Sequence, residues 1–75
     1  MSHEIDNIQL SIVVPVYKEA KNIKPFLQRA ELVLEHLNVS YEILFCLDPS
    51  PDQTEQVIRD EIARNSRIKL IIFSR

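Results

Sequence analysis

Three apolar runs, Leu10–Val16, Tyr41–Leu47 and Ile68–Phe73, constrain the fold of this chain more than any other feature. Each has the length of a strand and is nearly unbroken in its hydrophobicity, the pattern of a strand covered on both faces in a parallel sheet. Segments of helical period lie between them. Ile23, Phe26, Leu27, Ala30, Leu34 and Leu37 recur mostly three or four residues apart, and Val57, Ile58 and Ile62 share a second helical face. The order is strand–helix–strand–helix–strand, and helical crossovers call for parallel strands joined by right-handed connections. The predicted class is α/β, a βαβαβ parallel sheet.

Local signals bound these elements. Asn22 suits the N-cap of the first helix, Pro25 falls in its first turn where a missing N–H costs nothing, and Asn38 is a natural stop. Asp48-Pro-Ser-Pro-Asp52 reads as a turn. Ser50 and Gln53 fit a capping box with Pro51 at the first helical position, and the helix is expected to run to about Ala63 before Asn65-Ser66 breaks it. Residues 1–9 read as a flexible arm, polar and acidic, with no secretory signal pattern.

The topology carries a consequence. Strands that step in one direction through right-handed crossovers place both helices on the same face of the sheet, yet all three strands are apolar on both sides. The uncovered face requires further chain or a partner. Residues 10–75 are therefore expected to be the N-terminal part of a larger domain, truncated after its third strand, and to self-associate through that face.

Composition excludes several function classes. At 75 residues the chain buries only about 60% of its unfolded surface. A net charge of −2 with scattered basic residues leaves no footprint for nucleic acid. The single cysteine, Cys46, rules out an internal disulfide framework and reads as a small buried hydrophobe. No apolar run approaches the ~20 residues that span a bilayer, and a cytoplasmic location fits best. The chain contains no glycine, so neither a P-loop nor a G-x-G-x-x-G turn can exist in it. His3 and His36 have no metal-ligand spacing, and His36 near the end of the first helix suits the helix dipole.

Open α/β sheets bind ligands at the carboxyl ends of their strands. The relevant ends here are Pro15–Glu19 and Asp48–Asp52. Tyr17 can lie against a nucleobase, Glu19 can accept from ribose hydroxyls, and Asp48 can accept from a base N–H. The same residues have plainer readings. Glu19 can serve only the dipole at the start of the first helix, Asp48 can serve only its turn, and Asp52 suits the first turn of the second helix.

The segment Leu10-Ser-Ile-Val-Val-Pro-Val-Tyr-Lys-Glu19 resembles the opening of family 2 glycosyltransferases, an apolar strand followed by Pro-x-Tyr-Asn-Glu. Tyr41-Glu-Ile-Leu-Phe-Cys-Leu-Asp-Pro-Ser-Pro-Asp-Gln-Thr54 resembles their second motif, Glu-Ile-x-x-Val-Asp-Asp-Gly-Ser-x-Asp-x-Thr. Ile68 to Arg75 resembles their third strand with its Ser-Arg end. The branch it looks most like is the polyprenyl-phosphate sugar transferases, of the dolichol-phosphate mannose synthase type.

That resemblance implies the parallel-sheet half of a GT-A, Rossmann-like fold, a nucleotide-sugar donor, and an acceptor such as a polyprenyl phosphate or another glycan at the inner face of the membrane. It carries nucleotide contacts onto Pro15, Val16, Tyr17, Glu19 and Asp48. Four positions depart from the pattern: Lys18 stands for Asn, Leu47 for the first Asp, and Pro49 and Gln53 for glycines. The family's Asp-x-Asp motif, which holds a divalent metal such as Mg²⁺ or Mn²⁺, and its catalytic base both fall beyond residue 75. No catalytic residue and no metal ligand is expected in this segment, which alone should be inactive. The rival reading is a non-catalytic α/β binding or assembly module on the same scaffold. A flavodoxin-like or receiver-type domain is disfavoured, because the first strand ends in Pro-Val-Tyr with no acidic pair.

Overall fold

The computed structural model describes residues 8–49 and 51–73. His3, Ser50 of the expected capping box, the Ser74-Arg75 end and residues 1–7 of the expected arm lie outside them. The elements are β1 (Leu10–Val16), α1 (Ile23–Leu37), β2 (Tyr41–Leu47), α2 (Thr54–Arg64) and β3 (Ile68–Ile72). The strands form one parallel sheet in the order β1-β2-β3, with Leu10 opposite Tyr41, Val16 opposite Leu47 and Ile43 opposite Ile68.

β2 is central, and its side chains alternate strictly between buried and half-buried. Tyr41, Ile43, Phe45 and Leu47 face the helical layer, and Ile23, Leu27 and Leu34 of α1 with Ile58 of α2 close over them. The Phe26 ring meets Phe45 edge-on, with centroids 6.1 Å apart and planes at 72°, a favoured geometry for aromatic pairs. Full burial of a ring such as Phe45 contributes about 1.5–3 kcal/mol.

Both helices lie on this one face, as the right-handed connections require. The opposite face carries Val13, Leu44, Cys46 and Ile71, with Val13 60% and Ile71 46% exposed. Cys46 is accordingly half-buried on the open face rather than in the core. A polar cluster occupies the amino end of that face, where the Ser11 hydroxyl donates to Glu42 Oε2 at 2.7 Å and Lys69 Nζ lies 3.7 Å from Glu42 Oε1.

Pro15 is tolerated because β1 is an edge. The Leu10 N–H donates to the Ser40 carbonyl, and the Val16 carbonyl accepts from the Asp48 N–H, so the alternation turns position 15 to the free edge, where no ladder donor is needed.

Gln9, just ahead of β1, is tied to Ser40: its N–H donates to the Ser40 carbonyl at 2.9 Å and its side-chain oxygen accepts from the Ser40 N–H at 3.0 Å. Three local expectations are corrected. Asn22 precedes α1, but its side chain does not cap it and donates to Glu19 Oε1 at 2.8 Å instead. α2 begins at Thr54 rather than Pro51, because the Asp52 carboxylate accepts from the Thr54 N–H at 3.1 Å and so sets the first turn from outside the helix. Leu37, expected on the buried stripe, is 56% exposed at the last turn of α1. Asn38 ends that helix as expected, in the left-handed conformation at φ 58°, which Asn adopts more readily than most residues.

Candidate functional site at the carboxyl edge of the sheet

β1 and β2 end side by side, and their last hydrogen bond joins the two loops to the sheet. The Asp48 N–H donates to the Val16 carbonyl at 3.2 Å, which extends the Val16–Leu47 register by one position and sets Asp48 beside Tyr17. On the other side of β2, the Phe73 N–H donates to the Leu47 carbonyl at 3.0 Å. A half-buried carboxylate thus stands at the strand ends between Tyr17 and Phe73, each just under half exposed.

The β1–α1 loop turns sharply after Tyr17. Lys18 has φ 54°, a left-handed backbone that costs an ordinary residue about 1–2 kcal/mol. Its ammonium lies 5.5 Å from the centroid of the Tyr17 ring, within range of a cation–π contact. The turn brings Glu19 back over the sheet edge, where Asn22 holds it twice: the Asn22 N–H donates to the Glu19 carbonyl at 2.8 Å and the Asn22 side chain to Glu19 Oε1 at 2.8 Å. The Glu19 N–H crosses to the other loop and donates to Thr54 Oγ1 at 2.9 Å.

Tyr17, Glu19 and Asp48 are gathered at this edge from the two strand ends. Pro15 and Val16 sit one step back on β1, on opposite faces: Pro15 is exposed, whereas the Val16 side chain packs into the helical core. A cavity of about 220 Å³ opens between β1 and α1, lined by Val14, Val16, Ile23 and Phe26 with Glu19 and Asn22 at its rim. A second, of about 390 Å³, lies between the two loops and is lined by Lys18, Lys21, Asp52 and Gln53. Tyr17 and Asp48 line neither, so the five candidate residues share an edge and not one enclosed pocket.

Asp52 lies ahead of α2 and accepts both the N–H and the hydroxyl of Thr54. Its role is the structural one, although at the turn before the helix rather than within its first turn. Leu47, where the resemblance places a first Asp, is 1% exposed in the core beneath α1 and α2. A carboxylate there would have to be desolvated. Thr54 carries no local signal beyond its place at the end of the second motif, and its link to Glu19 spans 35 positions. Among the described residues there is no group of three or more His, Cys, Asp or Glu that could hold a metal ion. No helix among them is long and apolar enough to cross a membrane.

The chain is 41% identical over 69 residues to the uncharacterized glycosyltransferase YkcC of Bacillus subtilis (strain 168), a match covering 92% of this chain and 21% of that protein. It is 39% identical over 66 residues to the putative glycosyltransferase CsbB of the same strain, covering 88% and 20%. It is 33% identical over 57 residues to undecaprenyl-phosphate 4-deoxy-4-formamido-L-arabinose transferase of Pseudomonas savastanoi pv. phaseolicola (strain 1448A / Race 6), covering 76% and 17%. The chain therefore spans about a fifth of the length of these relatives. The profile of Glycosyl transferase family 2 matches residues 11–75, from β1 through β3 and both loops of the carboxyl edge, and the chain belongs to that family.

Proposed function

We propose that this chain forms the nucleoside-binding part of a glycosyltransferase that moves a sugar from a nucleotide-diphosphate donor to an acceptor such as a polyprenyl phosphate, at the inner face of the membrane. The observation that carries the reading is the convergence of Tyr17, Glu19 and Asp48 on one carboxyl edge of a parallel sheet, where folds of this kind bind nucleotides. A relative that acts on undecaprenyl phosphate supports the acceptor class.

In this reading the exposed Tyr17 ring packs against the base, Asp48 accepts from a base N–H, and Glu19 accepts from the ribose while Asn22 holds its carboxylate in place. A carboxylate has room for more than one donor. Pro15 and Val16 shape the strand end beneath the nucleoside. The metal that would offset charge on the leaving diphosphate and the base that would deprotonate the acceptor are assigned outside this segment, which by itself binds but does not catalyse. The rival reading, a non-catalytic assembly module, draws on the substitutions at Leu47, which is buried in the core, and at Pro49.

The test is calorimetric titration of UDP and of GDP, each with Mn²⁺, into the full-length protein and its Asp48→Ala variant. One nucleotide is expected to bind, and the variant to lose at least about tenfold in affinity, the scale of a lost hydrogen bond to a charged group. A folded protein that binds neither nucleotide would transfer the assignment to the assembly module.

A further inference from the structure

The two loops of the site are joined by one buried hydroxyl. Thr54 is fully buried, at 0% exposure. Its Oγ1 accepts the Glu19 N–H at 2.9 Å and donates to Asp52 Oδ1 at 2.6 Å. The same Asp52 oxygen accepts the Thr54 N–H at 3.1 Å. A hydroxyl has one proton to give, and here it goes to a carboxylate while a lone pair takes a backbone N–H from the opposite loop. That leaves the rotor a single useful orientation.

We propose that Thr54 is a positioning residue for nucleoside binding, acting through Glu19; the inference rests on the nucleotide-binding reading above. Glu19 is held at three points: its carbonyl and carboxylate by Asn22, its N–H by Thr54. Of these three, the bond to Thr54 is the one that reaches the far end of the β2–α2 loop, which begins at Asp48. Glu19 and the β2–α2 loop are thus linked through a fully buried side chain. Without the hydroxyl, the Glu19 N–H loses its acceptor in a half-buried place, and the β1–α1 loop must move to find another.

The experiment compares Thr54→Val, which keeps the shape and removes the hydroxyl, Thr54→Ala, which removes it without crowding, and Thr54→Ser, which restores it. Affinity for whichever of UDP or GDP the wild type binds is measured in the full-length protein with Mn²⁺, beside the thermal midpoint and hydrogen exchange at the Glu19 amide. Val and Ala are expected to weaken binding about tenfold, while Ser stays within about twofold of wild type. Exchange at Glu19 should be slow in wild type and Ser and fast in Val and Ala. A lowered midpoint with unchanged affinity would reduce Thr54 to a structural role and overturn the proposal. So would a Ser variant as weak as Ala. If neither Val nor Ala folds, fast Glu19 exchange in the wild type is sufficient to overturn it. A folded wild type that binds no nucleotide brings down the functional reading and the positioning role together. Binding by wild type with an unaffected Thr54→Val brings down only the latter.

Discussion

Arg64 of α2 reaches across to Glu31 of α1, its Nη2 2.9 Å from Oε2 and 3.2 Å from Oε1. The same guanidinium donates from Nε to Glu61 Oε1 at 2.8 Å. The two carboxylates are well shielded, while the Arg64 side chain is about half exposed. This is the polar clamp between the helices, and Asn65 adds a bond to Glu31 at 3.0 Å.

Arg64→Ala should therefore cost more than an isolated surface pair, about 1–2 kcal/mol, because two shielded carboxylates lose their cation and Glu31 is left with Asn65. Urea denaturation of Arg64→Ala, Glu31→Gln and the double variant gives the coupling; an additive cycle would mean the clamp adds nothing. Hydrogen bonds to Glu31, then to Glu61, raise the guanidinium's pKa above its ordinary value. A raised pKa gives stability that is complete below the unfolded value and fades only as pH rises through the folded one. For an arginine that window lies in strong alkali, so stability measured through neutral pH should show no step from Arg64.

The loop at Lys18 predicts a gain. Asn tolerates a φ of 54° better than Lys does. The substitution also removes the cation–π pair with Tyr17, which is exposed and contributes only about 0.5 kcal/mol. Lys18→Asn should raise stability by about 0.5 kcal/mol, and Lys18→Val should lower it by about 1–2 kcal/mol because a β-branched residue fits that backbone worst. Thermal denaturation of the two variants tests the order. A Val variant as stable as Asn would mean that the loop relaxes away from the left-handed region.

The core between sheet and helices and the exposed side of α1 should respond differently to truncation. Phe45 is fully buried in the centre of β2 and in contact with Phe26. Phe45→Ala should cost about 3–5 kcal/mol, enough to unfold a domain of marginal stability. Leu32, 72% exposed on α1, should change stability by less than about 0.5 kcal/mol when truncated to Ala. Circular dichroism melts of the two variants decide it, and a severe loss at Leu32 would place that residue in an interface.

What can be read in the sequence follows from how local each determinant is. The bounds of β1 and β2 are legible to the residue, because continuous runs of Ile, Val and Leu need no partner to be recognised. The same holds for the exit of α1 at Asn38. The helix entries are harder. Asn22 is a good N-cap by type, but Glu19 competes for its side chain. The entry of α2 is set by Asp52, because Thr54 offers that carboxylate two donors at once. Tyr17, Glu19 and Asp48 are legible as candidates because strand ends are where such sheets carry chemistry. The Thr54–Glu19 link is not, since no local pattern encodes a contact 35 residues apart. Leu37 misleads for a related reason: helical spacing marks a stripe without saying how far the sheet beneath it extends.

The open face of the sheet yields the last prediction. Val13 stands opposite Leu44, Pro15 opposite Cys46, and Ile71 on the far side of Cys46, so an apolar patch runs across all three strands toward the carboxyl edge. The Ser11–Glu42–Lys69 cluster covers only its amino end. Soluble monomers rarely leave so continuous a patch in water, and charges pointing into a sheet face are a common defence against edge and face association. The 75-residue chain should associate with rising concentration, and Val13→Lys together with Ile71→Lys should return it to monomer without disturbing the helical side of the core. Sedimentation velocity over a wide range of concentration, with a dye that binds apolar surface, makes the comparison. A wild-type chain that stays monomeric and binds no dye would mean that the exposed row at Val13 and Ile71 is too small or too interrupted by Pro15 to drive association.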